Sequence, residues 1–220
     1  FVGGQSRSFI QRIDFSNDTS TSPLRGNLLG SQQVADTQGT GNINFGYYCS
    51  CAAITTINRL DYSNDLAGAP SRGFLPASGN SRRFNAATGN SNFGYFGGGG
   101  SPVFSSVDRI DYSNDSGIAL TRGPLSFART NLIGTGNSNF GYFSGGASSS
   151  IVDRIDYSND SVRVSVRGTL DTSRNSRAGT GNNNFGYLGG NSPSGGGPNS
   201  IARISYANDT SRALTRGTFN

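Results

Sequence analysis

The sequence predicts an all-β protein built as a ring of repeated four-stranded units, and three observations carry that prediction. First, one heptapeptide is restated five times, as RIDFSND (12–18), RLDYSND (59–65), RIDYSND (109–115 and 154–160) and RISYAND (203–209). The Arg-to-Arg spacings of 47, 50, 45 and 49 residues leave room for four short strands in each unit. Second, the residue alphabet disfavours helices: Lys, Glu, Met, His and Trp are absent, while Gly, Ser, Asn and Thr abound. Third, the heptapeptide sits in a stretch with the two-residue period of a strand, and it is apolar on both faces. Ile13, Leu60, Ile110, Ile155 and Ile204 occupy one face; Ile10, Ile57, Val107, Val152 and Ile201 occupy the other. A sheet apolar on both faces is covered on both, as it would be between two neighbours in a ring.

The elements follow in order. Each unit has a first strand ending in a Gly-Asn-x-Asn turn, at Gly41, Gly89, Gly136 and Gly181, and a second strand opening with Phe-Gly-Tyr. The third strand carries Arg-Ile-Asp, and the Ser-Asn-Asp that follows is turn chemistry. The fourth strand is centred on Arg-Gly, at Arg25, Arg72, Arg122, Arg167 and Arg216, always eleven residues after the first Asp of the heptapeptide or its replacement Ser205. In an up-and-down sheet these two constant turns lie at one end. The two connections that vary in length lie at the other, and that variable face is the expected functional face. Residues two apart on a strand point the same way. Arg12 with Asp14, Arg59 with Asp61, Arg109 with Asp111 and Arg154 with Asp156 are therefore expected to form structural ion pairs, within a unit or across to its neighbour. Ser205 predicts a different network around Arg203. The glycine runs 97–100 and 195–197 are expected as flexible tips of the variable face.

The order Tyr142-Phe143-Ser144-Gly145-Gly146, Val152-Asp153-Arg154-Ile155-Asp156-Tyr157, Arg167-Gly168 and Thr180-Gly181-Asn182 resembles the kelch repeat, without that family's outer-strand Trp. The resemblance implies a five-bladed β-propeller with kelch-like four-stranded blades, occupying residues 1–220 as one domain. The strings RIDYSND, RGPLS and GNSNFGYF are similar to repeat segments of structural tail and fibre proteins of marine bacteriophages, which implies a virion or extracellular location. Phe1-Val2-Gly3-Gly4 matches residues 143–146, and the chain reaches Asn220 before another first strand. The blade containing both termini is thus expected to lack its innermost strand.

Composition narrows the function classes. The net charge of +5 suggests nucleic acid, but more than half of the 18 basic residues belong to the repeat and the rest read as scattered, so nucleic acid is not an expected partner. Without His, Glu or Lys the common general bases and Schiff-base nucleophiles are missing, and no enzymatic activity is expected. Asp-x-Ser-Asn-Asp places oxygens where a calcium loop does, yet the twelfth position is Arg in every copy. No metal or other cofactor is expected. No apolar run approaches the roughly 20 residues that cross a bilayer, so membrane insertion is not expected. Cys49 and Cys51, if on one strand, share a face and are badly placed to bridge each other; they read as small apolar fillers.

The reading is thus a non-enzymatic binding or structural protein, its partner a protein or cell-surface glycan receptor, with other structural subunits as further partners. The candidate binding residues on the variable face are Cys49, Cys51, Arg82, Arg83, Phe104, Phe127, Arg129, Arg174, Arg177 and Asn191. The alternative is a carbohydrate-binding lectin of the five-bladed type, with one sugar per blade.

Overall fold

The structure, a computed structural model, describes residues 2–4, 7–17, 19–28, 37–50, 55–76, 82–191 and 200–218. It is all-β: small antiparallel sheets stand in a ring as the blades of a β-propeller. Blade 1 has three strands, β1 (Val2–Gly4), β2 (Arg7–Gln11) and β3 (Leu24–Asn27). Blade 2 has four: β4 (Gln38–Gly41), β5 (Phe45–Ser50), β6 (Thr56–Asp61) and β7 (Ser71–Phe74). Blade 3 is β8 (Ala86–Gly89), β9 (Phe93–Gly97), β10 (Val107–Asp111) and β11 (Leu120–Thr121). Blade 4 is β12 (Ile133–Gly136), β13 (Phe140–Ser144), β14 (Ile151–Asp156) and β15 (Ser165–Thr169). Blade 5 is β16 (Asn175–Gly181), β17 (Phe185–Asn191), β18 (Ser200–Ser205) and β19 (Leu214–Thr218).

Neighbouring first strands touch, β4 with β8, β8 with β12 and β12 with β16, which places them at the ring's centre. They approach so closely that a Cβ on Gly134 would lie 2.0 Å from the carbonyl oxygen of Ala87. In blade 1 the first of the described strands, β1, corresponds by sequence to a second strand.

Side-chain chemistry explains both constant turns. Between first and second strands, Oδ1 of Asn42, Asn90, Asn137 and Asn182 accepts from the backbone N–H groups two and three residues on, at 2.9–3.0 Å. At the heptapeptide, Oδ1 of Asp14, Asp61, Asp111 and Asp156 accepts from both the backbone N–H and the hydroxyl of the Ser two residues later. Those bonds, the Ser hydroxyl's foremost, hold the Asp14, Asp61 and Asp111 carboxyls below the ordinary carboxylate range. In the fifth copy Ser205 makes no such bond, so the local difference falls on the turn. Arg203 lies 4.2 Å over the Phe185 ring, and Asp18, the residue equivalent to Asp65 and Asp160, lies outside the described residues.

The ion pairs cross the seams between blades. Arg109 pairs with Asp160 at 2.7 Å, not with Asp111; likewise Arg12 pairs with Asp65, Arg59 with Asp115 and Arg154 with Asp209. The last Asp of the heptapeptide is the partner, because the first is already committed to its turn. The Arg of Arg-Gly approaches the same carboxylate's region; Arg167 Nε donates to Asp209 at 2.9 Å. The Gly after it permits contact with the next blade. Gly123 N donates to Asp160 O, and a Cβ there would meet Val162 O at 1.6 Å.

The cores lie in these seams. Tyr47 of β5 stacks on Tyr112, Tyr95 of β9 on Tyr157 and Tyr142 of β13 on Tyr206, with centroids 4.5–4.8 Å apart and planes within 10–17°. Each strand-borne Tyr also donates its hydroxyl to the seam carboxylate, Asp115, Asp160 or Asp209.

Candidate binding surface

Arg82, Arg129 and Arg174 each lie just before an innermost strand, four residues before β8 and β12 and one before β16, in the connection arriving from the previous blade. None is presented to solvent: their exposures are 0%, 0% and 1%. Arg82 donates to Gly98 O and Ser106 Oγ and pairs with Asp108. Arg129 donates to Gly145 O at 2.8 Å and Phe143 O at 3.1 Å, and pairs with Asp153 at 2.8 Å. Arg174 donates to Ser200 O and Ser200 Oγ, both at 2.8 Å, and pairs with Asp171.

The reading of these residues as a ligand-binding set is therefore corrected. They are internal pins that tie the loops of the variable face to the blade below. Burial raises the Asp108 carboxyl above its usual range despite Arg82 and Thr121, a sign of how dry the pin is. The reading of the non-repeat arginines as scattered is corrected with it. Arg82, Arg129 and Arg174 stand seven residues before Gly89, Gly136 and Gly181, a spacing visible in the sequence. Where β18 has Ala202 in place of Asp108 and Asp153, the carboxylate comes instead from Asp171, in the pin's own loop.

The pins hold up an aromatic surface. Phe104 lies over the Arg82 guanidinium at 5.1 Å and Phe127 over that of Arg129 at 4.6 Å. Arg83 is exposed and its guanidinium stands 5.1 Å from the Phe84 ring. Backbone bonds knit the three contributing loops together: Gly99 N to Arg129 O, Gly100 N to Arg83 O, Phe104 N to Gly99 O and Asn131 N to Phe84 O. The glycine run 97–100 is accordingly buried and bonded rather than a flexible tip; the run 195–197 lies outside the described residues. Phe84 holds φ +60°, a left-handed conformation a bulky residue seldom adopts, at the position where the next blade has Asn131. Val103 and Phe127 are 48% and 38% exposed. The structure thus brings Arg83, Phe104 and Phe127 together on the pins Arg82 and Arg129, and adds Phe84 and Val103. Val103 is missed because a loop Val carries no sequence signal of exposure, and the half-buried Phe84 because nothing in the sequence signals its left-handed backbone.

The remaining candidates lie elsewhere. Cys49 is fully buried in the seam core with Tyr47, Ile57 and Leu75. It is disulfide-bonded, in a chain with two cysteines, which corrects its reading as an unbridged filler. That reading took residues 49–51 as one strand; Cys51 itself lies outside the described residues. Arg177 and Asn191 fall in β16 and β17, and their side chains are outside the description.

A second concavity lies at the first seam. A cleft of about 380 Å³ opens between blades 1 and 2, lined mainly by Ile10, Arg12, Tyr48, Leu60, Tyr62 and Asp65. It is apolar with an ion pair at its rim, in the size range of ligand sites. Comparison of the chain with protein-family models and with curated proteins finds no match.

Proposed function

We propose that the ring is a five-bladed, kelch-like propeller with blade 1 as its incomplete member, and that it works as a non-enzymatic binding component of a virion or other extracellular assembly. The observation that carries this reading is the surface on the variable face where Phe104 and Phe127 rest on buried guanidinium groups. Rings held on immobilised cations lose little entropy on binding and offer flat faces to a protein or glycan receptor. The disulfide at Cys49 supports an oxidising, extracellular setting. A lectin with one sugar per blade needs equivalent pockets around the ring. The described loops differ in content, with Phe104 and Phe127 on blades 3 and 4, which favours one composite site.

The test is binding of purified protein to candidate host-cell surfaces and to a glycan array, with Phe127→Ala beside the wild type. The reading predicts one site per chain, with affinity lowered about tenfold by Phe127→Ala, an aromatic hot-spot loss. About five equal sites per chain, insensitive to Phe127→Ala, would establish the lectin instead.

A further inference from the structure

The aromatic surface of the variable face has a charge as well as a shape. Nine of the 13 Asp residues belong to the heptapeptides. Asp108 and Asp153 are fully buried in two of the pins, and Asp171 is the carboxylate of the third. The last, Asp36, lies outside the described residues. The loops that meet around Phe104 and Phe127, residues 82–85, 97–106, 124–132 and 145–150, therefore contain no acidic residue. Their basic residues divide by burial. Arg82 and Arg129 are each neutralised by the Asp of the pin, while Arg83 is exposed beside Phe84. A second exposed cation comes from the connection into β15: the Arg163 guanidinium donates to the carbonyl of Ser126, the residue before Phe127. Hydrogen bonds join these groups in one row, from Gly100 N to Arg83 O, Phe104 N to Gly99 O, Arg129 N to Phe104 O, and Arg163 to Ser126 O. The row has a cation at each end and two supported rings between them. Exposed hydroxyls border it at Ser101 and Ser148; the loop of Ser148 is drawn in at Gly146, where a Cβ would lie 2.3 Å from Thr130 O.

We infer that the ligand of this surface is an acidic glycan, a chain of sugars bearing carboxylate or sulfate groups, in which Arg83 and Arg163 hold the charges and Phe104 and Phe127 carry the sugar rings. The inference rests on the reading of the variable face as the binding face and names what that face takes. A guanidinium makes paired, coplanar hydrogen bonds to an oxyanion, a fork that fixes direction as well as charge. A pyranose has an apolar C–H face whose weakly positive hydrogens suit the negative face of an aromatic ring. One face of each Phe lies against a buried guanidinium, so the ring is already immobilised when the sugar arrives. Cations, rings and hydroxyls set along one row match a polymer of repeating units. An acidic peptide would satisfy the cations and leave the flat ring faces without a partner of matching shape.

The experiment measures binding of the intact protein to four immobilised polymers: polygalacturonate, dextran sulfate, neutral dextran and polyglutamate. Saturable binding is expected to polygalacturonate or to dextran sulfate, the preferred one telling carboxylate from sulfate, with neutral dextran and polyglutamate at least about tenfold weaker. Phe127→Ala and the double variant Arg83→Gln with Arg163→Gln each weaken it about tenfold, and added salt weakens the wild type more than the double variant. The three side chains are exposed, so the variants keep the fold, which their melting temperatures check. Three outcomes overturn the inference: no saturable binding to either acidic polymer, binding indifferent to the two Arg changes, or equal binding to polyglutamate, which gives the surface to an acidic peptide. If Phe127→Ala weakens capture by a neutral glycan or a host-cell surface while the Arg changes do not, the acidic glycan falls and the receptor reading stands. If no ligand responds to Phe127→Ala, the receptor reading falls with it.

Discussion

The seam between blades 3 and 4 and the seam between blades 1 and 2 contain nearly the same letters and behave differently. Both have an Arg–Asp pair, Arg109 with Asp160 and Arg12 with Asp65, and both have an Arg-Gly contact to the next blade. In the first, Tyr95 and Tyr157 stack, Phe93 covers Arg109 and nine apolar side chains form a buried cluster. Among the described residues, the second holds a cluster of Ile10, Leu28, Leu60 and Ala69, with Tyr48 only partly covered. The difference teaches that the heptapeptide is half of a device. It supplies a Tyr, an Arg and an Asp, and the second strand of a blade supplies the Phe and Tyr that bury them.

That comparison breaks most visibly on removing one aromatic from each seam. Tyr95→Ala takes away a buried stack and the hydroxyl bonded to Asp160, and is expected to cost about 3–5 kcal/mol in urea unfolding. Tyr62→Ala, in the open seam, is expected to cost less than about 0.5 kcal/mol. Equal losses would mean that the first seam is as closed as the others.

Alkaline pH attacks the closed seams together. Burial, aided by the neighbouring Asp115, pushes the Tyr47 hydroxyl up to about 12, and burial raises Tyr95, Tyr112, Tyr142 and Tyr157 as well. A pKa raised in the fold means that stability is fully present below the unfolded value near 10 and is lost as pH rises through the folded one. The urea midpoint is therefore expected to hold to about pH 10 and to fall steeply between 10 and 12. Phenolate absorbance should appear with unfolding, not ahead of it. Early, stepwise titration in the folded protein would show that the stacked tyrosines are wet.

The smallest test concerns a single missing partner. Thr121, opposite Asp108 in the ladder, donates to Asp108 Oδ1; the equivalent residue opposite Asp153 is Val166, and Asp153 Oδ1 is buried without a hydrogen bond from a described residue. Val166 is 53% exposed, so Val166→Thr costs little packing and should raise stability by about 1 kcal/mol in thermal or urea unfolding.

Much of this is legible in the sequence. Alternating apolar residues at 107–110 and the turn residues at 111–115 yielded the third strand and its hairpin, because both are local. The partner of Arg109 was not legible, since Asp160 is a whole repeat away and becomes adjacent only when the ring brings blades 3 and 4 together. The pins were readable in principle from their fixed distance to Gly-Asn, yet a lone Arg in a variable loop looks like a surface charge until its burial is known. Phe104 and Phe127 were found as loop aromatics. That they share a support could not be seen, because their loops differ in length and meet only through backbone bonds.

The pins also divide each connection into two parts with different freedoms. Arg82 and Arg129 fix one end of their loops, and the innermost strand fixes the other. What lies outside the pin is a cassette: residues can be exchanged there, or a foreign loop spliced in, while the guanidinium keeps the blade below in register. A chain with so few residue types can thus present many different surfaces on one invariant chassis.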